Sequence, residues 1–171
     1  MQQEGCFLMK KTVDVFSYSN CICNAMKKGI LLTTASEEKV NTMTIGWGHI
    51  GIEWGRPVFV AYVRESRYTK RLLDETGEFT VNIPLEEGNS KILGYCGTKS
   101  GRDCDKIRDM SLTLEEPRSI RVPGIREFPL TLECKVIYRQ TEDPALLPPD
   151  IQGRFYPADI EGFRDAHIAY Y

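Results

Sequence analysis

Five short runs rich in β-branched and aromatic residues, each closed by turn signals, recur at 29–34, 40–46, 57–63, 78–83 and 130–139. Such runs read as strands. The last alternates, with Leu130, Leu132, Cys134, Val136 and Tyr138 on one face and Thr131, Glu133, Lys135, Ile137 and Arg139 on the other. The closing HIAYY is strand-like too. Helical patterns are fewer and short. One covers 67–76, with Leu72 and Leu73 inward and Gly77 as C-cap; 90–96 and 103–109 are two more. Strands divided by turns, without regular βαβα alternation, argue for an antiparallel barrel or sandwich with helical inserts, not a doubly wound sheet.

A chain of 171 residues suits a single domain with a sizeable core. Its net charge of -2 sets aside a general nucleic-acid binder, which is usually basic. No apolar run reaches the ~18 residues of a membrane helix. The start, MQQEGCFLMKK, has too short an apolar segment for a signal peptide, and Lys10 and Lys11 follow it. The expectation is a cytoplasmic protein with no membrane partner. Six cysteines (Cys6, Cys21, Cys23, Cys96, Cys104 and Cys134) then read as free thiols, and Cys21 and Cys23 as small buried residues. With only His49 and His167, and no two-residue spacer between cysteines, no metal site is expected. Residues 1–28 form an N-terminal segment, and EDPALLPPD (142–150) reads as a surface loop.

Two glycine-rich stretches mimic nucleotide motifs. GWGHIG (46–51) matches G-x-G-x-x-G, but the chain continues IEWGRP, a turn into another strand, where a dinucleotide fingerprint needs a helix. Its glycines suit a bulge or a close backbone approach. GYCGTKSG (94–101) lacks the glycine before the lysine of a phosphate loop, and no buried strand leads into it. His49, alone in a glycine-rich stretch, reads as a surface or packing residue.

Three other stretches carry chemistry. In YVRESRYTKRLL (62–73), Ser66 is placed to cap the helix that follows. The first amides of that helix, with Arg64, Arg67, Ser66 and Thr69, make a phosphate-sized anion site. The bland alternative is a solvated helix start whose arginines pair with Glu65, Asp74 or Glu75. In KVNTMTIGWG (39–48), Asn41, Thr42 and Thr44 are polar residues on a half-buried strand and need partners, which the pyrimidine edge of a flavin or plain water would supply. CGTKSGRDCDKI (96–107) is either a surface loop with Asp103 or Asp105 capping the next helix, or a lid over a bound ring with Lys106 near an anionic edge.

Taken in this order, the stretches resemble the flavin reductase-like family with the FMN-binding split β-barrel, and within it the flavoredoxin-like and small flavin reductase members. The resemblance runs from Gly29 to Tyr171 through GILLTTA…KVNTMTIGWGHIG, RPVFVAYVRESRYTKRLLDETGEFTVNIP and CGTKSGRDCDKI. It implies a mainly β, Greek-key split barrel and a non-covalent FMN. The phosphate would lie at Arg64, Ser66, Arg67 and Thr69, and the ring along Asn41, Thr42, Met43 and Thr44 with Trp47 beside it. Ser100, Gly101 and Lys106 would lie near the ring or across a homodimer boundary. The resemblance also implies a further strand segment after the HIAYY end. The function it implies is an oxidoreductase moving a hydride or electrons from NAD(P)H through FMN to free flavin, ferric iron or a protein acceptor. A flavoredoxin-type carrier without direct NAD(P)H oxidation and a non-catalytic FMN-binding module are the alternatives. A redox pair of Cys96 and Cys104 is a further one.

Overall fold

The computed structural model describes residues 10–157 and 166–171. The elements run α1 (Ser19–Lys28), β1 (Ile30–Ala35), β2 (Val40–Ile45), β3 (Gly48–Glu53), β4 (Arg56–Arg64), α2 (Tyr68–Thr76), β5 (Glu78–Ile83) and α3 (Ser90–Thr98). There follow α4 (Lys106–Asp109), β6 (Leu114–Glu115), β7 (Gly124–Ile125), β8 (Leu130–Lys135), β9 (Arg139–Thr141), α5 (Pro149–Phe155) and β10 (His167–Tyr170). The chain is mainly β and antiparallel throughout, as expected. One sheet has the order β2-β1-β5-β8 and the other β3-β4-β10-β9, with β6-β7 as a small third pair.

The two larger sheets enclose a core of Leu32, Ile45, Phe59, Ala61, Val63, Phe79, Val81 and Ile168. Burying both faces of β1 explains its unbroken apolar run: Ile30 and Leu32 face this core, while Leu31 faces a second cluster with Cys96, Leu112, Ile125 and Phe128. Leucine and phenylalanine burial of this kind contributes about 1.5–3 kcal/mol per side chain.

The structure departs from the sequence reading at several places. A helix, α1, occupies part of the N-terminal segment, with Ile22 and Met26 one turn apart and fully inside. Its polar remainder hid that narrow apolar face. Cys21 on this helix is half-buried and Cys23 exposed, so the buried reading fails for both. Cys6 lies outside the described residues. The GWGHIG stretch is largely strand β3, paired with β4 across a Trp54-Gly55 turn in which both residues have positive φ. Gly48 does permit the close approach expected of it, since a Cβ there would lie 2.7 Å from the Val60 carbonyl.

The run 130–139 is not one strand. β8 pairs with β5, then the chain crosses to the other sheet, where Ile137 N donates to Tyr171 O and β9 pairs with β10. The anticipated loop 142–150 contains a 3-10 turn at Pro144–Leu146 and the start of α5, where Pro149 sits inside the first helical turn as proline favours.

Candidate functional site

The helix α2 begins where β4 ends. Its N-cap is Arg67, one residue later than the expected Ser66, and no side chain caps it. The amides of Tyr68 and Thr69 therefore open the helix without intrahelical acceptors, at its positive dipole end. Thr69, Leu72 and Leu73 turn inward, and Gly77 closes the helix in the left-handed conformation with its N–H on Leu73 O. Lys70 and Arg71 pair with Asp74 and Glu75 one turn on. Arg67 has no ion pair among the described residues, so the pairing that accounts for Lys70 and Arg71 does not account for it.

Strand β2 packs beside this helix end. Each of its polar side chains was expected to need a partner. Thr42 finds one in the protein, lying 3.0 Å from Thr33 Oγ1 with its hydroxyl also reaching Leu32 O. Thr44 donates to Leu93 O at 2.7 Å. Asn41, only 2% exposed, donates Nδ2 to Thr69 Oγ1 at 2.9 Å, but its Oδ1 is buried with no partner among the described residues. A buried amide oxygen left unmade is costly, about 1–3 kcal/mol.

The segment 99–105 folds over Asn41. Ser100 O accepts from Asp103 N and its Oγ from Arg102 N, forming a tight turn. Gly101 lies so close that a Cβ there would stand 2.0 Å from Asn41 Oδ1. Lys39 Nζ holds the segment down through Gly101 O and Cys104 O, and Arg102 donates to Ser66 O at 3.1 Å. The Tyr68 ring takes the Arg102 guanidinium at 5.5 Å and the Lys39 ammonium at 5.8 Å. α4 then starts at Lys106, capped by Asp105 as anticipated, and shorter than the expected 103–109. Lys106 is 4% exposed and donates to Thr42 O at 2.9 Å and Cys96 O at 2.8 Å. Burial lowers its pKa, helped by the Arg67 and Lys39 charges and opposed by Cys96 and Cys104. Burial pushes the Cys96 thiol up to about 11, against the pull of Lys106.

Between these pieces lies a cleft of about 170 Å³. Nine of the twelve residues singled out from the sequence line it: Asn41, Met43, Thr44, Ser66, Arg67, Thr69, Ser100, Gly101 and Lys106. No carboxylate is among the lining residues. Three of the twelve lie elsewhere. The Thr42 side chain points to the buried hydroxyl pair with Thr33. Trp47 packs on Phe155 (5.1 Å between centroids) and His167 (4.7 Å). Arg64 donates to Phe155 O at 2.8 Å and lies over the Tyr156 ring. Sequence reasoning passed over Tyr68, Lys99 and Arg102, which also line the cleft. All three sit within the two basic stretches already singled out, so the signal was there.

Thr44 also lines a larger cavity, about 840 Å³, by the first turns of α3. Its walls include Cys21, Ala25, Lys28, Leu85 and Leu93, with Glu86 and Glu87 at the loop before α3. Gly97 lets α3 lie against β2 here, as a Cβ would be 3.3 Å from Thr44 Cβ. A cationic cleft therefore meets a roomier, more apolar cavity at one threonine.

Comparison with known proteins gives a consistent picture. The flavin reductase like domain profile matches residues 24–147. An uncharacterised protein of Archaeoglobus fulgidus is 36% identical over 106 residues, 62% of this chain and 59% of that protein. The flavoredoxin of Methanosarcina acetivorans superposes with a TM-score of 0.60 at 26% identity, over 82% of this chain and 62% of its own. An FMN-binding domain of a flavin reductases-like enzyme from Shewanella baltica OS155 superposes with a TM-score of 0.59 at 17% identity, covering 87% and 71%. The chain thus spans about three fifths of the length of the Archaeoglobus protein and of the Methanosarcina flavoredoxin.

Proposed function

The chain belongs to the flavin reductase-like domain family, and from that premise we propose that it is an oxidoreductase holding a non-covalent FMN with its phosphate in the cleft at the start of α2. The observation that carries this reading is the orphaned Asn41 Oδ1, lying on a floor that a side chain at position 101 would block, in a cleft with no carboxylate. If the Asn41 amide is turned, Oδ1 accepts the Thr69 hydroxyl and Nδ2 becomes a donor for a ligand.

The donors suit a phosphate monoester. Arg67, the Ser66 hydroxyl, the turned Asn41 amide and the opening amides of α2 would hold it, with Thr69 fixing Asn41 in that orientation. Ser100 and Gly101 would close over it, with Lys106 beneath. The cleft is smaller than the roughly 300–1,000 Å³ usual for ligand sites. The flat ring would therefore extend along Met43 and past Thr44 toward the larger cavity. Thr42 would act through the carbonyl that holds Lys106, while Trp47 and Arg64 brace α5.

The chemistry supplied by the cofactor when bound is transfer of a hydride or electrons, from NAD(P)H to free flavin, ferric iron or a protein acceptor. The chain's own residues position it and set its electrostatics, and no side-chain acid or base is needed for hydride transfer. A flavoredoxin-type carrier reduced by another protein is the second reading. It is favoured by the wall of the larger cavity, where Glu86 and Glu87 face one ammonium, Lys28, already paired with Glu87 at 3.0 Å. Such a wall repels the pyrophosphate of a dinucleotide. Rapid reduction of the FMN-loaded protein by NADH or NADPH would defeat the carrier reading, and none with either would defeat the reductase.

A second copy of the chain is the partner proposed for the aromatic group of exposed Trp54 and Tyr138 with half-buried Tyr171. Sedimentation at the mass of one chain would dismiss that. For the phosphate clamp, the test is Arg67→Ala. Losing a charge-assisted bond of about 1.5–3 kcal/mol weakens FMN binding by about 10- to 150-fold and leaves riboflavin nearly unchanged. Equal losses for both ligands would refute the clamp.

A further inference from the structure

Lys106 has more charge than its surroundings answer. Its ammonium is 4% exposed and meets two neutral carbonyls, Thr42 O and Cys96 O, so two of its three donors are used. No carboxylate lines the cleft it borders, whereas Arg67, Lys99 and Arg102 do. Keeping a buried cation among neutral acceptors and other cations is unfavourable. Its lowered pKa shows the same strain between burial and charge. An anion in the cleft relieves it.

The remaining features fit a small tetrahedral oxyanion. The cavity of about 170 Å³ holds one with a few waters, each taking roughly 30 Å³. The nine-residue helix α2 aims its uncapped start at it, and the buried Asn41 amide, turned so that the unpartnered Oδ1 takes the Thr69 hydroxyl, presents an N–H to it. None of these groups requires a ring.

We propose that the cleft is a phosphate site in its own right, keyed by Lys106, so that free inorganic phosphate occupies it when FMN does not and sets FMN loading by competition. The competition half rests on the FMN reading above; the phosphate half does not. The shared chemistry is a phosphate dianion, from solution or from the end of a flavin mononucleotide. Competition multiplies the apparent FMN dissociation constant by one plus the ratio of phosphate concentration to its own dissociation constant. Riboflavin lacks the phosphate, leaves the cleft open and is not displaced.

The test uses the full chain freed of flavin, titrated with FMN and with riboflavin by fluorescence quenching. One buffer contains chloride alone. In the other, phosphate at about 20 mM replaces chloride at equal ionic strength, so general screening is held fixed. The expected result is at least a roughly tenfold rise in the apparent FMN dissociation constant with phosphate and no change for riboflavin. Lys106→Met keeps the aliphatic stem and removes the charge, and is expected to abolish the phosphate effect. Thermal melts of the unsubstituted chain need no variant and are expected to rise with phosphate and not with chloride. FMN affinity indifferent to phosphate, or a phosphate effect intact in Lys106→Met, overturns the proposal. If neither flavin binds in chloride buffer while phosphate still raises the melting temperature, the FMN reading falls and the phosphate site stands.

Discussion

Replacing Gly101 by alanine attacks the cleft at its tightest contact. The added Cβ would stand 2.0 Å from Asn41 Oδ1 and 2.9 Å from both Asn41 Cγ and Tyr68 Cδ1. Carbon and oxygen need well over 3 Å, so something must move by about 1 Å. Asn41 is 2% exposed and bonded to Thr69, and cannot swing aside without breaking that bond. Otherwise the 99–105 segment must lift, straining the Lys39 bonds to Gly101 O and Cys104 O and the Arg102 bond to Ser66 O. Overpacking of this kind costs about 1–3 kcal/mol. For a domain of this size that lowers the melting temperature by about 2–12 °C. FMN affinity should fall by about tenfold or more, because the moved groups form the floor and lid of the cleft. Thermal melts and fluorescence titration read both. Gly51→Ala is the control, since a Cβ there meets nothing within 4 Å. If Gly101→Ala melts and binds like Gly51→Ala, the close contact on which the cleft depends is wrong.

Two further outcomes follow from titrating groups. At Asp74, burial pushes the pKa up, but the bonds from Lys70 and Tyr170 and the charges of Lys70 and Arg139 outweigh it, leaving the carboxyl below its usual value. A depressed folded pKa adds stability above the unfolded value of 3.8 that is lost as pH falls through the folded one. Asp74→Asn should therefore lower stability at neutral pH and flatten the acid limb below about pH 4, as denaturant melts at each pH would show; an unchanged acid limb would contradict it. At Cys96, a thiol held up to about 11 is overwhelmingly protonated near pH 8, unlike a reactive redox thiol. Alkylation should reach exposed Cys23 first, and the Cys96→Ser, Cys104→Ser pair should leave flavin reduction unchanged. Lost electron transfer in that pair would revive the redox pairing of the two.

How much was legible beforehand differs between the strands and the site. Five strand runs and the C-terminal one were readable because β-branched residues and turn signals mark them locally. Helix α1 was not, because only Ile22 and Met26 are buried, and two residues make no visible period. The crossing at Val136 to Tyr138 was also hidden, since alternation continues through it and only the partner strand changes. The cleft was legible as three basic or polar stretches, which the fold brings together around Asn41. What composition alone did not show is that Thr42 and Thr44 are satisfied by Thr33 and Leu93, while Asn41 Oδ1 has no partner among the described residues. Arg64 sits three residues before Arg67 in the chain yet serves α5, because β4 ends at Arg64 and the backbone turns between them.

The most direct measurement is the visible spectrum of the purified protein, before and after denaturation and after adding FMN. The protein is expected to be yellow, or to turn so with FMN, and to release one FMN per chain on unfolding. A colourless protein that takes up no FMN would contradict it.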